Sequence, residues 1–127
     1  MAHVTAKLRL KVSDGFLVES YKPQNIESDL LSNLGSGGVQ HIDDSSVGEY
    51  LDIDDGQEDG GFLYARNLDK STTNWVELGS YSHGTFYAFA ILKGGEFFFA
   101  RVTTKNIRVR TNPSGNDVDL EWRMFNP

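Results

Sequence analysis

Gly60-Gly-Phe-Leu-Tyr-Ala-Arg-Asn-Leu-Asp69, Asn74-Trp-Val-Glu-Leu-Gly79, Gly84-Thr-Phe-Tyr-Ala-Phe-Ala-Ile-Leu92 and Gly94-Gly-Glu-Phe-Phe-Phe-Ala-Arg-Val102 decide the fold. Each phrase is a short apolar run closed by turn residues. In succession they describe a chain that folds back on itself as consecutive β-strands. None of the four carries an obvious catalytic group.

The rest of the chain repeats the pattern. In residues 4–12, Val4, Ala6, Leu8, Leu10 and Val12 alternate with Thr5, Lys7, Arg9 and Lys11. A period of two places the apolar side chains on one face and leaves the other basic. Asp14-Gly15 is a hairpin turn, and residues 16–21 are its return strand. Residues 25–34 fit either one or two helical turns or an edge strand. Gly35-Ser-Gly-Gly38 is expected to be a flexible loop. Further strands are expected at residues 39–42, 48–53, 62–68, 75–78, 85–92, 96–102, 107–110 and 118–125. Turn-rich separators lie between them. The last strand alternates again, with Val118, Leu120, Trp122 and Met124 on one face.

Nine or ten short strands with no crossover helices define an all-β chain. The expected architecture is an antiparallel β-sandwich, of which the jelly roll is one form, with at most one short helix. A length of 127 residues suits one domain spanning residues 1–127.

Composition narrows the function. Cysteine is absent, so disulfides, thiolate zinc sites and cysteine nucleophiles are excluded. No apolar stretch is long enough to cross a bilayer as a helix, and no secretory leader is visible, so synthesis in the cytoplasm is expected. The net charge is −6, yet eight acids fall between Asp43 and Asp59 without one Lys or Arg. Outside that segment ten acids face twelve bases. An acidic chain is a poor ligand for nucleic-acid phosphates.

Within the acidic segment, Asp52, Asp54, Asp55 and Asp59 are oxygen ligands of the kind calcium takes. The EF-hand spacing fails, because Gln57 stands where the sharp-turn glycine belongs. A solvated loop, or a docking surface for a basic partner, fits the same residues. His3, His41 and His83 show no metal-binding spacing. No Gly-x-Ser-x-Gly elbow occurs. Glu77, Glu96 and Glu121 all fall on expected strands, and a glycosidase would need two of them to converge. No cofactor is expected.

Phe97-Phe98-Phe99 necessarily points rings to both faces of its strand. Either that strand is covered on both sides within the chain, or one side meets another subunit. Phe98 and the basic face of Lys7, Arg9 and Lys11 are therefore the candidate partner contacts.

The four opening phrases resemble small β-sandwich structural proteins of tailed bacteriophages. These show G-(F/Y)-L-x-x-R-N-L-D, N-(Y/W)-V-E-(L/V)-G, G-T-F-Y and L-K-x-G-E in this order. The matching stretches are residues 61–69, 74–79, 84–87 and 92–96. The resemblance implies a non-enzymatic virion component made in the host cytoplasm. A capsid decoration (cement) protein is the first expectation, assembling as a homo-oligomer (dimer or trimer) on the major capsid protein or other virion subunits. It carries over no catalytic residue, and Arg66, Asn67 and Asp69 are expected to build a turn. The alternatives are a tail or head-tail component, or a carbohydrate- or receptor-binding β-sandwich with Trp75, Tyr81 or Tyr87 as the stacking ring.

Overall fold

The computed structural model describes residues 3–14, 17–21, 26–29, 35–53, 60–112 and 117–125, and every regular element in them is an antiparallel β-strand. There are twelve: β1 (His3–Ala6), β2 (Leu10–Asp14), β3 (Leu17–Tyr21), β4 (Ile26–Asp29), β5 (Gly35–Ile42), β6 (Glu49–Tyr50), β7 (Gly61–Asn67), β8 (Val76–Ser82), β9 (Thr85–Leu92), β10 (Phe97–Val102), β11 (Arg108–Thr111) and β12 (Val118–Phe125). By internal packing the chain divides into two units, within residues 1–33 and 34–126.

The N-terminal unit holds two antiparallel pairs, β1 with β4 and β2 with β3. The single strand expected at residues 4–12 is thus two strands with different partners, and residues 7–9 lie between them. Period-two alternation marks which face is apolar but not where a strand changes partner. The ambiguous segment at residues 25–34 supplies strand β4 rather than a helix; residues 30–34 lie outside the described residues.

The larger unit is a sandwich of two four-stranded sheets, ordered β10-β7-β12-β5 and β6-β11-β8-β9. Its eight strands pair as nested hairpins. The innermost pair is β8 with β9, followed outward by β7 with β10, β6 with β11 and β5 with β12. The cross-links β7–β12 and β8–β11 then join these pairs into two sheets. This connectivity is the jelly roll.

Gly35 to Gly38, expected as a flexible loop, forms the first half of β5 and pairs with Trp122 to Phe125. Gly37 serves close approach: a Cβ there would stand 2.5 Å from the Trp122 carbonyl oxygen and 2.5 Å from Cδ of Arg123.

The core lies between the sheets. One sheet contributes Ile42, Leu63, Ala65, Val118, Leu120, Trp122 and Met124; the other contributes Val76, Leu78, Leu92 and Val109. All are buried, and each large apolar side chain so placed contributes roughly 1.5–3 kcal/mol. β12 shows the expected alternation residue by residue, with Val118, Leu120, Trp122 and Met124 inward and Asp119 and Arg123 exposed.

Candidate functional site

Residues directly opposite in an antiparallel pair share a face. The register therefore assigns the outer face of the β10-β7-β12-β5 sheet row by row. Phe97, Arg66, Glu121 and Val39 form one row; Phe99, Tyr64, Arg123 and Gly37 the next; Arg101, Phe62 and Phe125 the third. Phe62 stacks on Phe99 with centroids 5.6 Å apart and planes 7° from parallel. Tyr64 tilts against Phe97 at 6.4 Å. The Arg101 guanidinium lies 4.5 Å from the Phe62 centroid. Phe97 remains 54% exposed, and Arg66, Arg101 and Arg123 are all exposed. These three rows thus combine five rings with three guanidinium groups and one carboxylate.

On the outer face of the second sheet the arginines are engaged within the chain, while Ile91, opposite Glu77, stays 54% exposed and Tyr50 51% exposed. Arg110 Nε donates to Glu77 at 2.6 Å, and its guanidinium lies 4.3 Å from the Phe86 ring. Arg108 lies between Tyr50 at 4.3 Å and Tyr81 at 5.3 Å. Its Nη1 donates to the carbonyls of Val47 and Gly48.

An open cleft of about 370 Å³ lies beside β8 and β10. Phe89 and Phe98 line it, their centroids 5.5 Å apart, together with Ser80, Thr103, Thr104 and Asn106. A bulge creates it. Leu78 pairs with Ala90 and Gly79 with Ala88, so Phe89 is an extra residue in β9.

Several residues singled out from sequence do not gather. Lys7 and Arg9 are exposed, but between strands rather than on one. Lys11 falls in β2, and its side chain lies outside the described residues. Phe98 faces the core and packs against it; the ring of the Phe97-Phe98-Phe99 triplet that faces solvent is Phe97. Asp52 is exposed, and Asp54, Asp55 and Asp59 lie outside the described residues. Among the described residues no group of three or more His, Asp or Glu side chains is placed to hold a metal ion. Glu77 and Glu121 occupy the opposite outer faces of the sandwich, and Glu96 accepts the Lys93 amide in the β9–β10 turn, so the three do not converge. Trp75 is half-buried with its indole N–H shut from solvent, and Tyr81 is stacked on Arg108.

Arg66, Asn67 and Asp69 divide their roles. Asn67 is fully buried; its Nδ2 donates to the carbonyls of Asn74 and Leu92, and its Oδ1 accepts the Asp69 amide at 2.8 Å. Asp69 in turn accepts the Ser71 amide. Asn67 and Asp69 build the turn, while Arg66 belongs to the outer face.

Sequence reasoning missed one polar cluster. His41 on β5 meets Asp119 at 2.8 Å through Nδ1 and Asp117 at 3.2 Å through Nε2. Donation to the Asp119 and Asp117 carboxylates favours the protonated ring and raises the imidazole pKa above its ordinary value. The partners are 78 and 76 residues away, so no local spacing signals them.

No known protein family matches the chain, and neither does any curated protein or solved structure.

Proposed function

We propose that the chain is a non-enzymatic structural protein of a phage-type virion, a decoration protein that holds assembled capsid subunits together. The observation that carries this reading is the outer face of the β10-β7-β12-β5 sheet. Aromatic rings and arginines are the residues enriched at the energetic centres of protein interfaces. Here Phe62 with Phe99, Tyr64 with Phe97 and Arg101 with Phe62 are already in contact, and so pre-ordered before any partner arrives. Three arginines outnumber the two β12 carboxylates of that face, Glu121 and Asp119, which favours an acidic partner surface. A protein that binds the assembled shell and not its separated subunits stabilises the shell by mass action. The resemblance of the four strand phrases supplies the virion context, with the major capsid protein as the partner and a dimer or trimer as the acting form.

The test is co-sedimentation with purified phage heads and tails, with particle melting as a second readout. Native protein is expected to pellet with heads and raise their melting temperature. Replacing Phe97 with Ser and Arg66 with Glu together should weaken binding by about a thousandfold, since hot-spot side chains cost about 2 kcal/mol or more each. Binding to tails alone moves the site of action to the tail. Binding to neither particle sinks the reading.

A further inference from the structure

The cleft beside β8 and β10 has no part in that reading, and its chemistry is different. We infer that it is a binding site for a neutral pyranose, with the Phe89 ring as the stacking platform. This inference does not depend on the virion assignment.

The local backbone is built around the ring. The bulge adds Phe89 to β9 and re-aims it, so that it leans on Phe98 at an interplanar angle of 51°. The bulge depends on Gly79, because a Cβ there would lie 2.1 Å from the Tyr87 carbonyl oxygen. Despite leaning on Phe98, Phe89 stays 51% exposed, so one ring surface is left for a ligand. A sugar ring has an apolar C–H face that matches it, and hydroxyls around its edge.

Beside the apolar Val102 and Ile107, four polar side chains of the lining suit those hydroxyls. Ser80, Thr103, Thr104 and Asn106 carry hydroxyl and amide groups that both donate and accept. Thr104 Oγ1 accepts the Asn106 amide at 3.0 Å, which fixes that loop. No carboxylate lines the cleft, and the one cationic residue, Arg101, has its guanidinium over Phe62. A charged ligand would find no counter-charge, whereas a neutral one loses nothing. The volume lies near the lower end of small-molecule sites, about 300–1,000 Å³, which suits a short saccharide better than a nucleotide. With no acid–base pair at hand, the site binds without cleaving.

The test uses amide NMR shifts of the full chain titrated with methyl glycosides of glucose, galactose, mannose and N-acetylglucosamine at millimolar concentration. At least one glycoside is expected to bind saturably, with shifts centred on Ser80, Phe89, Thr104 and Asn106. Phe89→Leu keeps the bulk of the side chain and removes the ring; it should weaken that binding about tenfold while the fold is retained. Phe97→Ser should leave sugar binding unchanged and impair only the particle binding proposed above, so the two readings fail separately. The site is refuted if no glycoside shifts these amides, or if the Phe89→Leu protein binds as the native one does.

Discussion

Asn67 shows how much one side chain holds. It ties the end of β7 to the carbonyls of Asn74 and Leu92 and fixes the turn through Asp69. Asn67→Ala removes three hydrogen bonds in a fully buried position and strands two carbonyls, so a loss of roughly 3 kcal/mol is expected in urea unfolding. Asn67→Asp should be no remedy, because it keeps the acceptor and loses the donor. His41 predicts a pH effect. Its folded pKa is raised above 6.5 by Asp119 and Asp117, so its contribution is fully present below the unfolded pKa. It is lost as pH rises through the folded pKa. The melting temperature of native protein minus that of His41→Gln should therefore be larger at about pH 5.5 than at about pH 8.5. An equal difference at both pH values would remove the imidazolium from the account. The Asn67 turn was legible because Asn and Asp in R-N-L-D are residues that bond their own backbone. The His41 cluster was not, since it exists only once β5 and β12 are side by side.

Strands differ in what they disclose. β12 was legible to the residue, because one face meets the core and the other meets water. The outer face of β10 was legible only in part. Three consecutive Phe residues announce rings on both faces, but alternation alone cannot say which face is the core. The pairing of Phe98 with Ala65 decides it, since Ala65 is fully buried. Glycine-rich β5 reads as a loop in a propensity argument, and its tertiary partner overrides that. The β8–β9 hairpin is tighter than the sequence suggested. Ser82 pairs with Thr85, leaving a two-residue turn in which His83 has φ 51° and Gly84 φ 77°. Positive φ at both positions is the type I′ geometry, where Asn-Gly is preferred. His83→Asn should therefore stabilise the chain by about 0.5 kcal/mol, and Gly84→Ala should destabilise it by about 1 kcal/mol. Both are read from chemical denaturation midpoints, and the opposite order would contradict the turn assignment.

At the level of the molecule, the sequence discloses that strands follow one another but not how they pair. Among the described strands of the larger unit, consecutive ones pair directly only at β8–β9; every other pair skips along the chain. The strand count and the all-β class depend on local patterns and were readable. The jelly-roll connectivity rests on contacts across long separations, and no window of residues contains it. β12 is central to that connectivity, lying between β5 and β7. A chain ended before residue 118 should therefore lose the cooperative unfolding transition of the larger unit, whereas one shortened only by residues 126–127 should keep it. Circular dichroism during heating distinguishes the two. The nested order also has a meaning in time. β5 leaves the ribosome first among the eight strands, and its only strand partner in the sheet leaves last. At synthesis rates of about 5–20 residues per second, β5 waits roughly 4–15 s with its pairing groups bare. Meanwhile the inner hairpins can close in sequence as each arrives. The larger unit can thus assemble from its middle outward, which leaves its first strand, β5, the last to be protected from pairing with a neighbouring nascent chain.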